Sequence, residues 1–597
     1  MDHADAASVH DDHPWDAIVI GAGLGGLTCA AYLTTGGLRT LVLEQNQVAG
    51  GCSQVFRRQG KYEFDVGVHY VGDCHPGGTM STILRGLGLA GRIEFAELDP
   101  DGYSTLVFPD LTFRVPADWN RYLARLIETF PAEERGLRRG IGILHRIARE
   151  LDRGIPTGIG GLLSLPLRAP ATMLFGMLPL ARLYDACGLS PLARAVISGE
   201  SGDYACPPSR TPVALHAGFL HHYLKAGAYY PRGGGQVLAA HLVDVIATHG
   251  GQVHTNVRVE RILIERGRAT GVRLEDGRML HAPVVVSNAD IKRTYLELVG
   301  REHLPARTIR RIEGYRMALP LFSVYLGLDI DVADRMPNTN YWCYPHADVE
   351  ALYQAASDSK LSEELPVFIS SASVKDPDNK HTAPRGHSTL EVMTVVPPHY
   401  RFWDITDGPA AGETYSGNLE YLAVKEKLTE ALIDAAARVI PGLRDHIVFQ
   451  EASTPITQER FTLSSGGACY GLELATDQMG PRRPRPQTAI RGLYLTGAST
   501  IFCHGILGSM NGGVGTAAAV LRRDLFAELR SGRVLGDPTR LTAGGPDWDP
   551  LMASKPRAGA RTTGRERRAA SRAAKRPAPS SGSAATATAG DMTPHQG

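Results

Sequence analysis

Cysteine is scarce in this 597-residue chain, with eight residues scattered without a CxxC pair or a regular spacing. That pattern argues against a disulfide framework and a structural zinc site, and it suits a reducing compartment or simply buried thiols. Long apolar runs are also missing: no window reaches the about 18 uninterrupted apolar residues of a membrane-crossing helix. The least polar stretch, Ile155 to Ala181, carries only Arg168 as a charge but is broken repeatedly by glycine and proline. The first residues, among them Asp2, His3, His10, Asp11, Asp12 and His13, include no basic segment followed by an apolar one, so they do not read as a secretory signal. A cytoplasmic location is expected. Net charge is nearly absent too, at +1, but it is unevenly spread: Ala553 to Gly597 holds nine Lys or Arg against Glu566 and Asp591, leaving the body mildly acidic. No nucleic-acid footprint is expected on such a body. No metal site is expected either. The adjacent His221 and His222 would point to opposite sides of a strand, or about 100° apart on a helix, and the N-terminal histidines offer no fixed geometry.

What is present begins with length, since 597 residues exceed what one hydrophobic core organises and imply two folded domains. With 43% hydrophobic and 21% charged residues the composition is that of an ordinary globular protein. Near the N-terminus, Ala17 to Ile20 is an apolar run that reads as a strand, Leu24 to Thr34 reads as a helix stopped by Gly36-Gly37, and Leu38 to Leu43 reads as a second strand. Between the first two lies Gly21-Ala22-Gly23-Leu24-Gly25-Gly26. A lone GxGxxG is weak evidence, but a strand before it, a helix after it and an acidic residue closing the second strand supply the context of a dinucleotide-binding βαβ unit. Gly21 permits the tight turn, Gly23 lets the backbone approach a diphosphate, and Gly26 lets the helix pack on the sheet. Glu44, at the end of the second strand, is placed to accept hydrogen bonds from ribose hydroxyls.

The rest of the chain divides by changes in periodicity. Val257 to Ile264, Ala269 to Leu274, the Asp276-Gly277 turn and Val284 to Val286 look like a small meander feeding back into the sheet. Leu493 to Leu495 reads as a further buried strand, followed by a Gly-containing loop and a helix from about Gly512. We therefore expect residues 15–99 with 227–300 and 455–530 to form a discontinuous nucleotide-binding domain, and 100–226 with 301–454 to form an inserted α+β substrate domain. Residues 1–14 and the basic tail 531–597 are expected to be disordered.

Two later motifs favour FAD over NAD. Gly50-Gly51-Cys52-Ser53 resembles the second Gly turn of the two-dinucleotide-binding-domain flavoproteins. Tyr494-Leu495-Thr496-Gly497-Ala498 resembles the strand and turn that hold the ribityl chain in those proteins. A helix entered through Met510 and Asn511 would aim its positive end at the flavin pyrimidine. Val259 would contact adenine through its backbone. A narrower resemblance rests on Phe64-Asp65-Val66-Gly67-Val68-His69-Tyr70, Tyr230-Pro231-Arg232-Gly233-Gly234, Cys469-Tyr470-Gly471-Leu472-Glu473 and Ile501-Phe502-Cys503-His504-Gly505. Together they look like the family of phytoene desaturases, carotenoid isomerases and retinol saturases, over about Asp16 to Arg523. The resemblance implies an α/β fold of the amine-oxidase-like superfamily, with a Rossmann-like FAD-binding domain. It also implies an enzyme that exchanges hydride between flavin and the carbon-carbon bonds of a conjugated isoprenoid, as saturase, desaturase or isomerase.

Such a substrate needs an apolar tunnel, for which Ile155 to Leu183, with Met173, Leu174, Phe175 and Met177, supplies material. An ordinary helical core or a lipid-facing patch fits the same stretch, and peripheral membrane contact would suit a lipid-dissolved substrate. His69, Arg232 and His504, with Cys503 beside the last, are the candidate reacting groups: a proton donor near neutral pKa, a cation facing reduced flavin, and a group on the loop after the third flavin motif. Structural roles fit each of them as well. No second GxGxxG unit marks a nicotinamide site, which leaves a quinone, oxygen, a carrier protein or unfingerprinted NAD(P)H as electron partner. Two rival classes share the scaffold: a flavin amine oxidase, which would want an aromatic cage, and a non-catalytic escort for prenylated proteins, against which the intact flavin motifs argue.

Overall fold

The computed structural model describes residues 15–154, 164–361, 364–545 and 547–555. Ala17–Ile20 and Thr40–Leu43 are buried at every position, which follows from their unbroken apolar character, since a parallel strand covered on both faces has no solvent side to alternate toward. They sit at the centre of a five-stranded sheet in the order Gln252–His254, Thr40–Leu43, Ala17–Ile20, Val284–Ser287, Leu493–Leu495. Every pairing in it is parallel, with Ala17 opposite Thr40 on one side and Val284 on the other. The sequence supplies these strands from three well-separated stretches. The expected meander is present as Val259–Glu265, Arg268–Leu274 and Met279–His281, antiparallel to one another, before Val284–Ser287 enters the sheet.

Two helices fix the nucleotide end. Leu24–Thr35 starts directly from the Gly turn and is buried from Leu24 to Thr34. It lies against Gly505–Leu521, whose small residues permit the approach: a Cβ on Gly513 would stand 2.6 Å from Gly25 O and 2.8 Å from Cys29 N, both backbone atoms. This second helix begins at Gly505, seven residues before the expected start near Gly512. Glycines at 505, 508, 512, 513 and 515 depress its intrinsic propensity, and packing overrides that.

A separate seven-stranded mixed sheet carries Ile447–Ser453, Leu321–Leu328, Ser388–Val395, Val367–Ser370, Asn340–Cys343, Ser104–Phe108 and Leu111–Val115 in that order. Helices Trp119–Thr129, Glu134–Asp152 and Val213–Leu224 contribute to the core on one side, around Leu106, Phe113, Leu144 and Leu220. The long helix Leu419–Val439 packs on another part of the sheet around Val324, Leu390 and Leu432.

Two expectations are corrected here. The tail expected to be disordered from 531 is packed as far as Lys555: Leu541, Ala543 and Leu551 are buried, Asp549 pairs with Arg57 at 2.6 Å, and Ser554 O accepts from Ala49 N at 2.8 Å. These apolar and acidic residues find partners on the sheet domain that local composition does not reveal; residues 1–14 and 556–597 lie outside the described residues. Where it is described, the stretch expected to line a tunnel lines neither cavity of the site: Ala171, Leu180 and Leu183 are buried in the core with Phe175 packed against it, and other residues turn outward. Leu167, Met173, Leu174, Met177 and Leu178 are all exposed, Leu167 at 89%, while 155–163 lie outside the described residues. Among the described residues no helix is long and apolar enough to cross a membrane.

Candidate functional site

The C-terminal ends of the parallel strands open into a cavity of about 480 Å³. In open α/β sheets ligands bind at this edge, where helix N-termini and strand ends converge. Gly21, Gly23 and Gly25 line it at the start of Leu24–Thr35, and Gly50, Gly51, Val259, Gly497 and Ala498 line it further round. Glu44, buried, closes Thr40–Leu43 and also lines the cavity. Its Oε2 accepts from Ala22 N and its Oε1 from Asn46 N, both at 2.8 Å, so the carboxylate braces the Gly turn as well as facing the cavity. Burial pushes its pKa up, while those amides pull it back. Gly26 does not line the cavity. Its Cβ would stand 2.2 Å from Gly21 O, which is the close helix-to-turn packing expected of that position.

Asn288 was not legible as a site residue. It follows Val284–Ser287 just as Gly21 follows its own strand, and its side chain lies between Gly23, Gly25 and Gly497, donating to Gly21 O at 3.4 Å. The strand-end position was the available signal.

At the far end the cavity is bounded by His504, Gly505 and Ile506, the start of Gly505–Leu521. Both imidazole nitrogens of His504 are buried without a partner among the described residues, and the ring leans on Tyr470 at 4.7 Å. Burial, aided by Arg483, lowers the His504 pKa to about 3, so the ring is neutral. Arg483 is itself buried and donates to Thr500 O at 2.8 Å, Ala498 O at 2.9 Å and Leu472 O at 3.1 Å. It ties the loop after the third Gly turn to the segment carrying Tyr470.

A second cavity meets the first. It is lined mainly by apolar and aromatic side chains, including Leu321, Trp342, Phe368 and Met393, and it shares Cys52, Gly67, Cys469 and Tyr470 with the nucleotide cavity. That shared wall is the place where a cofactor in the first cavity would meet a substrate in the second. His69 lines the second cavity only. Its Nδ1 stands 3.5 Å from Glu391 Oε2, and its carbonyl accepts from Lys375 Nζ at 2.6 Å. Lys375 also donates to Asn340 Oδ1 at 2.7 Å and Ser370 Oγ at 2.5 Å, which engages all three of its protons. Asp65 takes hydrogen bonds from Gly235 N at 2.9 Å and from the Tyr230 hydroxyl, and its own amide donates to Glu391 Oε1. In this buried cluster desolvation pushes Lys375 down and Glu391 up, each pulled back by the other's charge, while it raises Asp65 to about 6 and lowers His69 to about 3.

A family model described as flavin containing amine oxidoreductase matches residues 24–521. The chain belongs to that family. All-trans-retinol 13,14-reductase of Macaca fascicularis is 30% identical over 539 residues, spanning 86% of this chain and 87% of that protein. Chloroplastic prolycopene isomerase 2 of an Oncidium hybrid cultivar is 28% identical over 537 residues, spanning 86% and 84%. A redesigned putrescine oxidase of known structure shares the fold at 15% identity, with a TM-score of 0.58 over 85% of this chain and 99% of that one. These relatives agree with the resemblance carried by the Gly turns and by Cys469 to Glu473, and the cofactor of this flavoprotein is FAD. The cavity fits it. A Gly-lined turn stands at one end, and at the other the buried His504 nitrogens lack partners among the described residues.

Other residues singled out in the sequence fall elsewhere in the flavoprotein. Arg232 points away from the cofactor cavity. Gly233 and Gly234, at φ of 88° and 79°, turn the chain so that Arg232 Nη1 meets Asp376 Oδ1 at 3.1 Å, with its side chain 42% exposed. Met510 and Asn511 do not enter the helix but lie in its second turn, and neither lines the cavity, because the helix starts at Gly505. Cys503 packs with Tyr204, Cys206 and Leu474 rather than lining either cavity. The paired histidines serve as local acceptors: His221 Nδ1 receives Trp119 Nε1 at 3.1 Å, and His222 Nε2 receives Gly72 N at 2.9 Å.

Proposed function

We propose that this flavoprotein is an FAD-dependent oxidoreductase acting on carbon-carbon bonds of a conjugated isoprenoid, carotenoid-like or retinoid-like. The observation that carries the reading is the aromatic and apolar cavity that meets the nucleotide cavity at Cys52, Gly67, Cys469 and Tyr470. A flat hydrocarbon chain suits such walls, and the named relatives act on retinol and prolycopene by their titles. Bound flavin supplies hydride exchange with a carbon of such a chain. The chain's own residues supply orientation and electrostatics.

In this reading, backbone amides at Gly23 and Gly25 hold the diphosphate at the start of Leu24–Thr35, and Gly21, whose own amide donates to Leu43 O at 2.8 Å, makes the turn that brings them there. Glu44 receives the adenosine ribose, Val259 meets adenine through its backbone, and Gly50 and Gly51 allow close approach of the chain. Gly497 and Ala498 hold the ribityl end. The start of Gly505–Leu521, with His504, Gly505 and Ile506, faces the pyrimidine in place of Met510 and Asn511. His69, neutral and in the second cavity, lies on the substrate side.

The outward-facing Leu167, Met173, Leu174, Met177 and Leu178 suit the surface of a bilayer in which such a substrate dissolves, which supports peripheral contact with lipid. The decisive experiment holds the purified yellow protein anaerobically in its oxidised and its reduced form with all-trans-retinol, phytoene and poly-cis carotenoids. Reoxidation or reduction of the flavin by one of them, with an altered polyene recovered, is the expected result. Inertness of both forms toward all three would overturn the substrate class. Colourless protein that takes up no FAD would return the escort reading.

A further inference from the structure

The second cavity holds a carboxylic acid with no cation to neutralise it. Asp203 ends the short turn Ser201–Asp203 and lines the cavity; among the described residues no Lys or Arg lines it. The Tyr70 hydroxyl donates to Asp203 Oδ2. The groups facing Asp203 are acids or phenols on every side: Glu200 beside it, Tyr70, Tyr223 from Val213–Leu224, Tyr344, Tyr353 from Val349–Ser357, and Tyr470 at the wall shared with the cofactor cavity. Several of their hydroxyls are engaged elsewhere, with Tyr353 on Ser201 Oγ at 3.1 Å and Tyr344 on Gly199 O at 2.6 Å. Glu200 takes the Tyr103 hydroxyl at 3.0 Å. His69, the other titratable group without a phenol or thiol in this cavity, is neutral. Burial first, and Glu200 second, raise the Asp203 pKa to about 8 against the pull of Tyr70, so the carboxyl keeps its proton at neutral pH. A buried carboxyl held in this form is suited to give a proton rather than take one.

Building on the isoprenoid reading above, we propose that Asp203 is the proton donor of this site and that the reaction runs toward saturation. Asp203 gives its proton to one carbon of a conjugated double bond while the neighbouring carbon takes a hydride from the reduced flavin. The π bond breaks and two carbon-hydrogen bonds form; the alkene is reduced and the flavin oxidised. The carboxylate left behind is held by the Tyr70 hydroxyl and regains its proton from water between turnovers. A desaturase would instead need a competent base here at neutral pH, and neither a protonated Asp203 nor a His69 of pKa about 3 provides one.

The test uses the holoprotein and its Asp203→Asn and Asp203→Glu variants, with flavin absorbance and thermal unfolding confirming that each folds. An infrared difference spectrum, wild type minus Asp203→Asn, should show a protonated carboxyl at pH 7 that titrates near 8. An ionised Asp203 at pH 7 would overturn the assignment whatever the substrate. The second readout is anaerobic single-turnover reoxidation of the reduced flavin by all-trans-retinol, phytoene or poly-cis carotenoid. Asp203→Asn should slow it at least about 100-fold and Asp203→Glu much less. The wild-type rate should fall as pH rises through 8, a limb absent in Asp203→Asn, and a turnover in deuterated water should place deuterium at both new carbon-hydrogen positions, since the N5 hydrogen of reduced flavin exchanges with solvent as the carboxyl proton does. An Asp203→Asn rate within about twofold of wild type, with the same pH limb, contradicts the inference alone. A wild-type protein inert to every polyene overturns the substrate reading and the saturation step with it.

Discussion

Replacing Glu44 separates the nucleotide from the flavin half of the cofactor. The carboxylate already accepts one backbone amide on each oxygen, Ala22 N and Asn46 N at 2.8 Å, which leaves a further lone pair on each for the two ribose hydroxyls. Hydrogen bonds to a charged acceptor are worth about 1.5–3 kcal/mol each, and water fills part of the space left by truncation. We therefore expect Glu44→Ala to lose roughly 2–4 kcal/mol of FAD affinity, or about 30- to 1,000-fold in Kd. Glu44→Gln keeps one acceptor oxygen and should lose nearer tenfold, about 1.4 kcal/mol. The assay is titration of apoprotein with FAD, followed by quenching of flavin fluorescence, with FMN as the control. FMN lacks the adenosine ribose, so its weaker binding should change little beyond the effect of the unbraced Gly turn. Unchanged FAD affinity in Glu44→Ala, or equal losses for FAD and FMN, would refute the ribose contact.

Other substitutions probe the frame around the site. Gly513→Ala forces a Cβ to 2.6 Å from the backbone of Leu24–Thr35, and should cost about 1–3 kcal/mol, seen as a lower Tm and weaker FAD retention. Lys375→Met leaves His69 O, Asn340 Oδ1 and Ser370 Oγ without their donor and removes the cation beside Glu391 and Asp65, so a loss of about 3–5 kcal/mol is expected in denaturant unfolding. That deficit should grow with pH. Burial raises the folded pKa of Asp65 from 3.8 to about 6 and that of Glu391 above 4.5, so their contribution is present at low pH and lost as pH rises through about 6 and beyond. Without Lys375 ionisation becomes costlier still, and the variant should recover toward pH 5. Arg232→Ala should leave FAD affinity and turnover within about twofold but cost about 1–3 kcal/mol of stability, because the buried Asp376 loses the Arg232 cation and keeps the Gly233 amide; a large loss of turnover would restore Arg232 to the site.

The nucleotide half was legible because the close approach of backbone to ligand restricts residue type. Gly21 and Glu44 stand at strand ends and Gly23 and Gly25 at the start of the helix between them, and the local pattern of apolar run, Gly turn and helix fixes those places without tertiary information. Asn288 stands at an equivalent place, but an asparagine after a strand has many local uses, and its role depends on Gly23, Gly25 and Gly497 meeting around it. Arg232 was misplaced because Pro-Arg-Gly-Gly announces a turn without saying which way the side chain leaves it; Asp376, 144 positions on, decides that. The start of Gly505–Leu521 was hidden by its glycines, which a helix tolerates only because they seat it on Leu24–Thr35. Asp203 left no local sign. Its environment is assembled from Tyr70, 133 positions earlier, and from tyrosines of other helices, so its retained proton is a property of packing alone.

One measurement tests the central claim most directly: mass and isotope analysis of the polyene recovered after a single anaerobic turnover with reduced holoprotein in deuterated water, beside a parallel reaction of oxidised holoprotein with putrescine. The account predicts a polyene product that has gained two hydrogens, both as deuterium because reduced flavin also exchanges its N5 hydrogen with solvent, and no flavin reduction by the amine. An unaltered polyene together with rapid flavin reduction by putrescine would contradict it and make the protein an amine oxidase.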